Sequence, residues 1–191
     1  MVQEIEIEYK NLLTEEEFKQ LLTIFPFPES GIWQTNHYFE TKNFALKEKG
    51  AALRIREKNG AYVLTLKEPH PEGLLESHDA LSEEEAQQWL AGTPVAKSQV
   101  VEQLHSLNVN LEDLVYYGKL ATERYELNYQ DTLLVLDYSV YNGIYDYELE
   151  IEAQSKEAGQ NMLYSLLHQH GIVKKETPNK IKRFFASFTV E

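Results

Sequence analysis

The chain has 191 residues, enough for one domain with a full core and short for two. Hydrophobic residues make up 42% of it, a globular and not a disordered composition, and the absence of cysteine excludes disulfides and thiolate metal sites and suits a cytoplasmic protein. A formal charge of −13 argues against a protein that coats nucleic acid, yet the 18 Lys and Arg side chains could still be gathered around a small anion.

In chain order, Met1 to Lys10 alternates apolar and charged residues and reads as a strand, without the apolar stretch of a signal peptide. Thr14 with Glu17 forms a capping box ahead of Phe18, Leu21 and Leu22 and predicts a helix. Strands follow over about 34–42, 51–58, 61–67 and 74–80, with Asn59-Gly60 between two of them as a type I′ hairpin turn. Ser82 with Glu85 repeats the capping box and Gly92 supplies a stop; residues 98–107 predict another helix. The segments 119–128, 132–139 and 145–152 alternate again, with Asn142-Gly143 turning between the last two. Ser155 to Gln169 carries Met162, Leu163, Leu166 and Leu167 on one helical stripe, and Thr177-Pro178 is expected to cap a short final helix. Nowhere does an apolar run approach the ~20 residues that span a bilayer. The pattern predicts a mostly β (α+β) fold: one domain over 1–191, a closed eight-stranded antiparallel barrel with helices packed outside.

The charges follow the alternation. Glu4, Glu6, Glu8 and Lys10 share one strand face, opposite Ile5, Ile7 and Tyr9. Arg54 and Arg56 oppose Leu53 and Ile55, and Lys67 opposes Leu64 and Leu66. Asp137 lies beside Leu136, Arg124 shares a face with Thr122, and Glu148, Glu150 and Glu152 oppose Leu149 and Ile151. A half-buried sheet with solvated charges would read the same way. However, the signs are sorted by strand, whereas a surface usually mixes them. Helices covering the apolar faces from outside would leave the charges lining an interior, where metal ions relieve the acids and a polyanion relieves the cations.

At these residues the sequence resembles the CYTH family, the triphosphate tunnel metalloenzymes. Glu6, Glu8 and Lys10 match its Glu-x-Glu-x-Lys; Asn36 to Thr41 is similar to its second-strand segment, with Glu40 where Asp is usual. Leu53-Arg54-Ile55-Arg56, Leu64-Thr65-Leu66-Lys67, Asp137 with Glu148-Leu149-Glu150, and Asn179-Lys180 with Arg183 resemble its later elements. Glu76 and His78 stand where a more basic strand is expected. The resemblance implies a metal-dependent hydrolase of inorganic, nucleoside or thiamine triphosphate, using Mg²⁺ or Mn²⁺. It assigns Glu6, Glu8, Asp137, Glu148 and Glu150 to metal. Lys10, Arg54, Arg56, Lys67, Arg124, Lys180 and Arg183 go to the phosphates, with Lys10, Arg54, Arg56 and Lys67 as catalytic groups. Residue chemistry agrees, since carboxylate oxygens suit Mg²⁺ and guanidinium forks suit phosphate.

Three alternatives stand beside the hydrolase: an adenylate cyclase of the same family, a non-catalytic polyphosphate-binding module, and a lipid-carrying barrel, which needs an apolar lumen. Expected partners are a small-molecule triphosphate, no nucleic acid and no membrane, in a monomer or homodimer. Arg124 could instead pair with Glu123 and Glu126 at a surface. Trp33 and Trp89 are expected to pack beneath helices.

Overall fold

A computed structural model describes residues 2–189. The strands are β1 (Val2–Glu6), β2 (Glu8–Leu13), β3 (Ile32–Thr41), β4 (Ala52–Lys58), β5 (Ala61–His70), β6 (Gly73–Leu81), β7 (Leu114–Tyr129), β8 (Thr132–Tyr141) and β9 (Ile144–Ala153). The helices are α1 (Glu15–Ile24), α2 (Ala45–Glu48), α3 (Glu83–Leu90), α4 (Ser98–Ser106), α5 (Lys156–Gln169) and α6 (Lys180–Ala186). The architecture is mostly antiparallel β with attached helices, as expected, but with nine strands among the described residues and not eight. The difference arises at Ile7, where the expected first strand breaks in two: β1 joins β6, while β2 joins β9.

The chain forms two compact units. The first holds residues 34–120 with the strand residues up to Ile5, and its strands run in the order β1-β6-β5-β4-β3 and on to the start of β7. The second holds 6–33 and the residues from Ala121 onward, in the order β7-β8-β9-β2. In the first unit Leu53, Ile55, Leu64 and Leu66 are fully buried and pack with Leu46, Trp89, Val100 and Leu104 of α2, α3 and α4. In the second, Leu134, Leu136, Leu149 and Ile151 pack with Phe18 and Leu21 of α1 and Leu163, Leu166 and Leu167 of α5. In each unit the apolar sheet face is therefore under helices. Because strand side chains alternate, the charged residues lie on the other face.

Local chemistry accounts for the element ends. Thr14 and Ser82 each accept from the N–H three residues on, while Glu17 and Glu85 reach back to the cap N–H, so both capping boxes form. Asn59 and Gly60 have φ of 52° and 76°, and Asn142 and Gly143 46° and 77°, the left-handed geometry of a type I′ turn. Two expectations are corrected. Asn179, not Thr177, caps α6 and accepts from Lys182 N–H at 3.0 Å, because the Thr177 hydroxyl is engaged by Leu12 N–H at 2.9 Å. Trp33 is 52% exposed and edges onto Tyr138, whereas Trp89 is buried as expected.

Candidate functional site

The charged face of the second unit is assembled by ladder register. Arg124 lies opposite Asp137, Asp137 opposite Glu148, and Glu150 opposite Lys10. Asp137 and Glu148 are completely buried and Glu150 nearly so, and one oxygen from each lies within 4.8 Å of the others. Arg124, 9% exposed, grips Asp137 through Nε (2.8 Å) and Nη2 (2.6 Å) and gives a further 2.6 Å bond to Glu150. It is an interior cation, not the surface partner of Glu123 and Glu126 that the sequence allowed; Glu126 lies 4.0 Å away.

Two cations arrive from α6. Lys180 Nζ is 2.8 Å from Asp137 and 2.6 Å from Glu150, and it also bonds Glu148. Arg183 bonds Asp146 at 2.9 Å, Glu148 at 2.5 Å and the Pro178 carbonyl. The segment before α6 is tied to β2 by the fully buried Asn11, which donates to Val173 C=O and accepts from Lys175 N–H. Lys10 pairs with Glu8 at 2.7 Å. Glu6, half-buried at the end of β1, and Glu8 stand outside the three-carboxylate group to which the resemblance joined them.

These neighbours set the protonation of the cluster. Burial pushes Glu150 upward, but Lys180, Arg124 and Lys10 outweigh it and hold the carboxyl well below its ordinary value. Asp137 is likewise lowered by Arg124 and Lys180 against burial. Burial wins at Glu148, which Lys180 and Arg183 only partly compensate, and its pKa rises to about 7. The three acids keep Lys180 charged despite its burial.

The basic residues of the first unit share the face opposite its core. Arg54 pairs across strands with Thr65, Thr65 with His78 and Lys67 with Glu76. Arg56 Nε donates to Asn36 Oδ1 at 3.1 Å. Glu76 is 4% exposed and bonds Lys67, with Arg54 at 3.9 Å and His78 at 3.3 Å; His78 also reaches Glu4 (3.2 Å) and the Thr65 hydroxyl (3.0 Å). Arg54 Nε is buried without a hydrogen-bond acceptor among the described residues. An anion's oxygen would satisfy it.

The structure thus gathers Asp137, Glu148, Glu150, Arg124, Lys180, Arg183 and Lys10 in one unit, and Arg54, Arg56 and Lys67 in the other. Sequence reasoning missed Asp146, which holds both Arg183 and the Tyr141 hydroxyl, although its spacing of two from Glu148 signalled the same face. Glu40, which the sequence set where the family usually has Asp, was given no role there. That carboxylate accepts from Thr41, Leu46 and Lys47 N–H at 2.7, 3.0 and 2.9 Å, and so caps α2, whose own cap position, Phe44, offers no side-chain bond.

The CYTH domain matches residues 4–185. The Bacillus subtilis (strain 168) protein YjbK, named "putative triphosphatase", is 49% identical over 186 residues, covering 97% of this chain and 96% of that one. A Bacillus halodurans crystal structure named as a "putative adenylate cyclase" superposes with a TM-score of 0.93 at 42% identity, over 97% of this chain and 100% of its own. A Hippeastrum protein described as an adenylyl cyclase candidate with a dominant triphosphatase activity has a TM-score of 0.80 at 25% identity, over 95% and 96%. With its charged strand faces, its capped helices and a match over nearly its whole length, the chain belongs to the CYTH family.

Proposed function

We propose that this protein is a metal-dependent triphosphatase of the cytoplasm that splits a phosphoanhydride bond of inorganic, nucleoside or thiamine triphosphate. The observation that carries the reading is the buried set Asp137, Glu148 and Glu150 in a chain half identical to a relative named for triphosphatase activity. Three hard oxygen donors within 4.8 Å of one another need to close in by only a few tenths of an ångström to share a single Mg²⁺ or Mn²⁺, whose ligands stand about 2.1 Å from the ion. Those carboxylates, with Glu6 and Glu8, are the proposed metal ligands. When bound, the metal supplies a fixed positive charge against the phosphate oxygens.

This chain's own residues do the rest. Arg54, Arg56 and Lys67, with Lys10, hold the phosphate oxygens and spread the charge that develops as water bonds to the terminal phosphorus and the P–O bond to diphosphate breaks. The unsatisfied Arg54 Nε supports that role. Arg124, Lys180 and Arg183 complete the cationic set.

No charge in either cluster selects a nucleobase, so tripolyphosphate is expected to be hydrolysed at least as fast as ATP. The test is phosphate release from tripolyphosphate, ATP and thiamine triphosphate with Mg²⁺ or Mn²⁺, beside a cyclic-AMP assay. Cyclic AMP as the main product from ATP would replace the hydrolase by a cyclase. Tight tripolyphosphate binding without turnover would leave a binding module.

A further inference from the structure

We propose that Lys180 is the resident cation of the Asp137–Glu148–Glu150 carboxylates, and that divalent metal and the Lys180 ammonium occupy this seat in turn. The inference rests on the metal reading above and adds a competition that the reading does not contain. Lys180 Nζ lies within ion-pair distance of one oxygen of each of the three carboxylates that would ligate the ion. The ammonium donates to Glu148 and Glu150 and stands as an ion pair beside Asp137, so it covers an oxygen of each acid. A divalent ion bound there needs the same lone pairs and repels the ammonium, so both cannot stay.

The surrounding structure permits the exchange without dismantling the helix. Lys180 is the first residue of α6, behind the Asn179 cap, and its flexible stem lets the ammonium swing. Arg183, one turn on, keeps its 2.9 Å bond to Asp146, which is not one of the three carboxylates. Asn11 and Thr177 hold the preceding segment to β2. Ejected from the acids, Lys180 is free to meet an anion. Metal loading thereby converts a structural cation into a phosphate-binding one, and metal loss lets Lys180 close the acidic site.

Metal affinity in the absence of substrate tests this. Titration calorimetry with Mg²⁺ or Mn²⁺ should show binding tightened about tenfold or more in Lys180→Met, because the apparent affinity of the native chain is reduced by the fraction of molecules whose seat is taken. Lys175→Met removes a positive charge that pairs with Glu17 and touches none of the three carboxylates, so it should change affinity less than about threefold. A second measurement needs no variant: acetic anhydride labelling of Lys180, read by mass spectrometry, should rise several-fold at saturating Mg²⁺. Equal affinities for Lys180→Met and Lys175→Met, or labelling that metal does not change, would overturn the exchange. If metal-dependent triphosphatase activity persists in that event, only the exchange falls. Absence of both metal binding and triphosphate turnover would remove the functional reading with it.

Discussion

Replacing Arg124 by methionine should be among the most damaging single changes in the second unit, even without metal or substrate. Arg124 makes three hydrogen bonds of 2.6–2.8 Å to Asp137 and Glu150, whose side chains are 0% and 6% exposed. Methionine fills much of the space but leaves two buried carboxylates short of a guanidinium. Removing one partner of a buried ion pair costs about 3–5 kcal/mol. A chain of this size loses roughly 2–4 °C of Tm per kcal/mol, which gives about 6–20 °C. The assay is thermal and urea unfolding in excess EDTA. Arg124→Met with Asp137→Leu removes one charge of each sign, and should recover more than half of the loss, since an apolar pair of similar volume needs no partner. A single variant within about 1 kcal/mol of the native protein would refute the reasoning, because surface ion pairs are worth no more than that.

Other outcomes follow from single contacts. Glu40→Ala leaves two N–H groups at the start of α2 and the Thr41 N–H at the end of β3 without their acceptor and should lower stability by about 1–3 kcal/mol in urea unfolding, where Glu40→Gln restores part of the loss. Gly159→Ala drives a methyl to within 2.7 Å of the Tyr9 ring and 3.1 Å of Ala153; a loss of about 1–3 kcal/mol is expected, and unchanged Tm would show that the α5–β2 packing yields freely. Arg54→Ala should lower kcat/KM for tripolyphosphate and ATP by similar factors, and a loss confined to ATP would place Arg54 at the base and not at the phosphates. The pH dependence has opposing parts. Asp137 and Glu150 have lowered folded pKa values, so their contribution is present above about pH 4 and is lost as pH falls through those values. Glu148 is raised from 4.5 to about 7, so its contribution falls as pH climbs through that window. Glu148→Gln in EDTA should therefore shift the stability difference between pH 5 and pH 7 in favour of pH 7, as read from urea midpoints.

Much of this protein could be read directly from its residues, because the relevant physics is local. The two-residue strand repeat placed Leu53 and Ile55 on one face and Arg54 and Arg56 on the other whatever lay around them. Capping boxes at Thr14 and Ser82, and the left-handed turn at Asn59-Gly60, depend on residues at most three apart. The same alternation put Arg124, Asp137, Glu148, Glu150 and Lys10 on charged strand faces, whereas Lys180 and Arg183 belong to α6. Which of them would touch was a different matter. Lys180 meets Asp137, Glu148 and Glu150 from 30 or more residues away, and Glu76 neutralises Lys67 through the β5–β6 register. Glu40 is taken up by a helix of only four residues, too short to leave a periodic signal. The break at Ile7, which divides one expected strand between two sheet edges, likewise follows from where β6 and β9 end up. Sequence alone determined the faces, since a strand's side chains alternate by covalent geometry. Only the tertiary structure decided the partners, since a buried charge pairs with whatever opposite charge the long-range register brings within reach.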